Sequence, residues 1–85
     1  MAKYTVVLTK KAQKQLDKLA DNIADPIFEA INDLSDDPRP FGYIKLKGRD
    51  GYRIRIGDYR IIYNIYDSEL LVDVIELGNR KDIYE

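Results

Sequence analysis

The chain has 85 residues, with 14 Lys and Arg against 15 Asp and Glu, and neither His nor Cys. That length holds one domain, 1–85, and a hydrophobic content of 45% is enough to build a core, which excludes a disordered chain. Without Cys or His there is no disulfide framework, no thiolate nucleophile and no imidazole base or metal ligand, and a formal net charge of −1 argues against a generally basic nucleic-acid binder.

The opening residues, Met1 to Thr9, lack the apolar run of a signal peptide, and no stretch approaches the ~20 apolar residues of a membrane helix. With no Cys as well, the expectation is a cytoplasmic protein without membrane association. Residues 3–8 (KYTVVL) alternate, with Tyr4, Val6 and Leu8 on one side, and predict a strand. Thr9 is the expected N-cap of a helix over about 10–20, whose apolar stripe is Ala12, Leu16 and Leu19. A second stripe runs through Ile23, Ile27, Phe28, Ile31 and Leu34. Either Asp21 or Asp25 is a suitable cap for it, and Pro26 belongs in a first helical turn. The two prolines of SDDPRP (35–40) end that helix.

The second half is strand-rich. Residues 43–47 (YIKLK) suggest a short strand or an extended approach, closed by Gly48 to Gly51. Three longer strands follow at 52–56 (YRIRI), 59–66 (YRIIYNIY) and 70–77 (LLVDVIEL). Gly57-Asp58 alone joins the first two, as in a tight hairpin, and Asp67-Ser68 is expected to make the next turn. Gly78 is expected to end the sheet before a polar tail, 79–85.

A two-residue loop at 57–58 sets a register: Ile56 opposite Tyr59, Arg55 opposite Arg60, and Arg53 opposite Ile62. Alternation then gives one apolar face, Tyr52, Ile54, Ile56, Tyr59, Ile61, Tyr63 and Ile65, which packs on the helices. Arg53, Arg55 and Arg60 share the opposite, open face. Like charges in direct register are mildly unfavourable, so the cluster points to an anionic ligand, and guanidinium forks suit phosphate oxygens. The plainer reading is a solvated face whose arginines pair with Asp58 and Asp73, the latter opposite Ile62 if the second turn also has two residues. Lys11, Lys14 and Lys18 make a basic face on the first helix, either merely solvated or a further phosphate contact. Asp33, Asp36 and Asp37 cluster at a helix end and turn without metal-ligand spacing, so neither a metal nor a cofactor is expected. Of the tyrosines at 43, 52, 59, 63 and 66, three fall on the apolar face, where packing is their expected role rather than base stacking.

With YRIRIGDYRIIYNIY (52–66) the chain resembles the RelE/ParE superfamily of toxins from bacterial and archaeal toxin–antitoxin pairs. The likeness extends to KKAQKQLDKL (10–19), INDLSDDPRP (31–40), KLKG (45–48) and ELGNRKDIY (76–84), and so covers nearly the whole chain. It implies an α+β fold, an antiparallel sheet with an N-terminal strand and two helices packed on one face. For a RelE-like member it further implies metal-independent mRNA cleavage in the ribosomal A site, and hence inhibition of translation. In that reaction the ribose 2′-OH attacks the adjacent phosphate and leaves a 2′,3′-cyclic phosphate. Matched to the family pattern, Arg55, Arg60, Arg80 and Tyr84 are the implied catalytic residues, with Arg53, Lys11, Lys14 and Lys18 binding substrate. Arg53 and Arg55 replace the lysines of RelE-type toxins, and a guanidinium is not a base at neutral pH. The family also admits a ParE-like inhibitor of DNA gyrase that acts by binding, and an inactive toxin that works mainly in an antitoxin complex. Each of these implies a protein antitoxin as partner, with DNA reached only through that complex.

The net charge conceals polarised blocks: +4 over 1–20, −5 over 21–40, +4 over 41–60 and −4 over 61–85. Both positive blocks coincide with the first helix and the arginine hairpin, so the objection to nucleic acid narrows to weak binding of naked RNA.

Overall fold

The structure is a computed structural model that describes residues 3–79. Strand β1 (Thr5–Leu8) leads into helices α1 (Lys10–Asp17) and α2 (Asp21–Asp33), followed by β2 (Ile44–Lys45), β3 (Tyr52–Ile56), β4 (Tyr59–Tyr66) and β5 (Leu71–Asn79). The five strands form one sheet in the order β1-β5-β4-β3-β2. All neighbours are antiparallel except β1, which lies parallel to β5. The helices cover one face, as the alternation requires. Ala12 and Leu16 of α1 and Ile27 and Ile31 of α2 are buried with Leu34, Ile54, Ile61, Tyr63, Val72, Val74 and Leu77.

Thr9 caps α1 as expected. Its Oγ1 accepts from the Ala12 N–H at 3.1 Å and donates to the Ile75 carbonyl at 2.6 Å. Beyond Leu8, the edge of β5 away from β4 has no strand beside it among the described residues, and α1 supplies a partner there: the Gln15 Oε1 accepts from the Leu77 N–H at 2.8 Å. Those bonds dress a sheet edge that would otherwise present open backbone groups. The helix stops at Asp17, three residues short of the expected limit.

α2 begins at Asp21, with Ala20 at the cap position and no side-chain cap, so neither aspartate plays the expected role. Pro26 therefore stands in the second turn rather than the first. It forgoes one i→i−4 bond, to Asn22, while Ile27 and Ile31, both 1% exposed, hold the helix on the sheet. After α2 the Asp37 carboxylate accepts from the Arg39 N–H at 3.0 Å and Lys3 pairs with Asp36, so two of the three clustered acids shape and screen the turn.

The hairpin register is the expected one, with Arg55 opposite Arg60 and Arg53 opposite Ile62. Gly57 takes φ +59 and Asp58 does not, the pattern of a type II′ loop. The β4–β5 connection differs from expectation. A 3₁₀ turn at Asp67–Glu69 plus Leu70 makes it four residues long, and a bulge sets in at Ile62/Tyr63. Asp73 consequently faces Asn64 instead of Ile62, and Ile62 faces Glu76. Nor does Gly78 end the sheet, because it pairs with Arg60 and β5 continues to Asn79.

The second face is not fully open either. Leu46 folds across it and buries Ile62 against Ile75. Gly51 makes that crossing, at φ +125, with its N-terminal neighbour loop tied by the Leu46 N–H to the Gly51 carbonyl at 3.0 Å. A Cβ there would lie 3.3 Å from both the Leu46 Cδ1 and the Tyr63 carbonyl oxygen. Gly51→Ala is expected to cost about 1–3 kcal/mol, read as a lower urea midpoint at unchanged slope.

At the far end of the sheet, Arg39 clasps Asp67 with both terminal nitrogens, at 3.2 and 2.9 Å, and stacks 5.7 Å from the Tyr52 ring centroid. Tyr4 donates its hydroxyl to the same carboxylate. Hydrogen bonds from Arg39, then Tyr4, hold the Asp67 carboxyl below its ordinary range. A depressed carboxyl contributes stability above its unfolded pKa, near pH 4, and loses it as pH falls further. Asp67→Asn should therefore lower stability slightly at neutral pH, where the exposed clasp contributes, and flatten the acid limb of the unfolding curve below about pH 4, where parent and variant converge. An acid limb as steep as that of the parent would contradict the clasp.

Candidate functional site

Opposite residues share a face, so the second face of the sheet can be read in rows. One row carries Arg55 on β3, Arg60 on β4 and Gly78 on β5. The next carries Arg53, Ile62 and Glu76. Arg55 and Arg60 form a non-hydrogen-bonded pair next to the hairpin loop, the arrangement that brings opposing side chains closest. Gly78 adds no side chain beside Arg60, which leaves that end of the row low. Arg53 is only 9% exposed, against the expectation of an open face, while Arg60 is half-buried and Arg55 exposed. The Nε atoms of Arg53 and Arg60 are themselves shielded from solvent. Charges held in such surroundings act on an anion through a lower effective dielectric than solvated lysines do.

Glu76 is the residue that sequence reading missed. Its carboxylate, 15% exposed, lies 2.6 Å from the Lys11 ammonium and 3.7 Å from an Arg49 nitrogen. Lys11 thus reaches the arginine face from α1. Lys11 and Lys18 also line a surface hollow of about 410 Å³ together with Tyr59, Glu76 and Gly78. Lys14 is exposed on α1 and does not line that hollow. Arg80 and Tyr84 lie outside the described residues. The tyrosines divide as expected. Tyr63 is fully buried and donates to the Pro38 carbonyl at 2.7 Å, Tyr52 and Tyr59 pack on the core, and Tyr43 and Tyr66 are exposed.

What the described residues assemble is therefore an electropositive strip with one internal acid. It has guanidinium forks at three sheet positions and a lysine at its α1 border. Such a strip can bind phosphodiesters and stabilise charge that grows on a phosphorus centre.

The model of the ParE toxins of type II toxin–antitoxin systems matches residues 6–84. The toxin RelG of Mycobacterium tuberculosis is 35% identical over 83 residues, spanning 95% of each chain. A putative toxin RelE1 of Methanocaldococcus jannaschii is 29% identical across 98% of this chain and 97% of its own. Among solved structures, the archaeal RelE–RelB complex of Pyrococcus horikoshii superposes with a TM-score of 0.82 at 31% identity, covering 95% of this chain and 99% of that one. The toxin–antitoxin complex RelBE2 of M. tuberculosis gives 0.80 at 30% identity, covering 93% and 100%. The family match spans nearly the whole chain and the superpositions cover more than nine-tenths of it, and the chain belongs to the RelE/ParE superfamily of type II toxins.

Proposed function

We propose that this RelE-like toxin is a ribosome-dependent endoribonuclease that cleaves mRNA in the A site. The facing pair Arg55–Arg60 carries the reading. Two like charges in direct register weaken a hairpin slightly, and a pentacoordinate phosphorane between them turns the repulsion into attraction. In the reaction the 2′-oxygen bonds to phosphorus, the bond to the 5′-oxygen breaks, and the products are a 2′,3′-cyclic phosphate and a 5′-hydroxyl. Arg55, Arg60 and Arg80 stabilise the charge on the phosphorane. Arg53, Lys11, Lys14 and Lys18 position the RNA backbone. Guanidinium groups keep their protons, so by the family likeness both proton transfers are assigned to Tyr84: its phenolate takes the 2′-OH proton, and the phenol so formed returns it to the departing 5′-oxygen. No metal enters this scheme.

The near-neutral total charge makes diffuse attraction to RNA weak, and the ribosome supplies the concentration and alignment that the toxin alone does not. The same reading places the protein in the cytoplasm and gives it a cognate antitoxin, as in the RelE–RelB complexes it resembles. Binding to gyrase without chemistry is the second reading, favoured by the ParE family match. A supercoiling assay separates them: an endonuclease leaves gyrase unaffected while mRNA is cut on programmed ribosomes.

A further inference from the structure

We infer that Glu76 is a built-in counter-ion of the RNA surface, holding Lys11 and Arg49 in the place of a substrate phosphate and so limiting affinity for nucleic acid. The inference rests on the RNA-directed reading above.

Three observations carry it. First, the bulge at Ile62/Tyr63 brings Glu76 onto the arginine face, in the row next to Arg60 and Gly78. Residues so placed are diagonal neighbours, roughly 7–8 Å apart along the backbone. That is about the scale of successive phosphates on a single strand. Second, its two carboxylate oxygens divide between cations from separate elements, Oε2 to Lys11 of α1 and Oε1 to Arg49 of the loop between β2 and β3. The two non-bridging oxygens of a phosphodiester are shaped for the same bridge. Third, the pairing is exchangeable. Glu76 is 15% exposed, but Lys11 and Arg49 are 64% and 40% exposed, and ion pairs with that much solvent are weak. The carboxylate is the more buried member of both pairs, and the cations are the solvent-exposed ones that a ligand can reach.

A purely structural role is the competing explanation, because Arg49 lies in the loop that carries Leu46 over Ile62. The two differ in sign. Loss of a structural pin loosens the loop and weakens binding, whereas loss of a counter-ion strengthens it.

The test is titration of labelled oligouridylate against the full-length protein and its Glu76→Gln variant over a range of salt. Glu76→Gln should bind about ten-fold more tightly at low salt. Its plot of log affinity against log salt should be steeper by roughly 1, since each phosphate contact on a single strand contributes about 0.7. Lys11→Met added to Glu76→Gln should remove about half of that gain. If Glu76→Gln unfolds, Glu76→Thr, which suits a strand, is expected to show the same shift. Unchanged or weaker binding by a folded variant, an unchanged slope, or no binding by either protein each overturns the inference. The endonuclease reading is scored separately, by cleavage on ribosomes. Tighter oligouridylate binding with uncut mRNA would sink that reading alone, and normal cleavage with no gain in binding would sink this inference alone.

Discussion

Arg60→Ala is expected to abolish cutting of mRNA on programmed ribosomes, with a loss of about 10²–10³-fold in rate and little change in melting temperature. Arg60 sits at the centre of its row, between Arg55 and the bare backbone of Gly78. A phosphorus centre that acquires a second negative charge in this row lies between two residues that carry guanidiniums on facing strands. Removing Arg60 takes away one of the two charges of the row and strongly disfavours the transition state. Arg60→Lys keeps the charge but loses the fork, so it should recover only part of the rate. A folded Arg60→Ala protein that cuts at the parental rate would remove Arg60 from the site.

Tyr63→Ala is expected to have the largest effect on stability, a loss of about 3–5 kcal/mol. For a domain of this size that is a large part of the total. Tyr63 is 0% exposed, belongs to the core cluster with Tyr52 packed beside it, and is the largest side chain wholly inside among the described residues. Its hydroxyl ties the loop after α2 to the sheet through the Pro38 carbonyl. Tyr63→Phe keeps the packing and loses only that bond, leaving the Pro38 carbonyl without it at a cost of about 1–2 kcal/mol. Burial pushes the Tyr63 phenol well above its ordinary value of 10.0. A phenol that is harder to ionise when folded stabilises the protein below its unfolded pKa, and that contribution is lost as pH rises above about 10. Tyr63→Phe should therefore blunt alkaline unfolding, and a scan of melting temperature from pH 8 to 11 checks it.

Much of this arrangement was legible before any coordinates. The Gly57-Asp58 loop fixes a register by its length alone, and the alternation of YRIRI and YRIIYNIY then sorts arginines from core residues. Thr9 was readable because its position before an apolar stripe has one common use. The turn at 67–70 was not, because Asp-Ser-Glu-Leu carries no glycine, and Leu70 takes φ +51, a conformation leucine rarely adopts. Two extra loop residues shift the pairing but keep every side chain on its face, so Asp73 stayed on the arginine side, opposite Asn64. The bulge adds one residue, which breaks the alternation, and an apolar run such as LLVDVIEL gives no sign of where. Glu76 was hidden by that single step. Pro26 misled for a different reason: the burial of Ile27 and Ile31 outweighs the hydrogen bond the proline removes. Arg80 and Tyr84 rest on family likeness alone and lie outside the described residues.

The central claim is that the row of Arg55 and Arg60 faces RNA phosphate on the ribosome. Mapping mRNA ends on programmed ribosomes, with parent and Arg60→Ala proteins side by side, tests it most directly. The account predicts cuts within the A-site codon that carry 2′,3′-cyclic phosphates, intact naked RNA, and no cuts with Arg60→Ala. Intact mRNA on ribosomes incubated with the folded parent protein would contradict it.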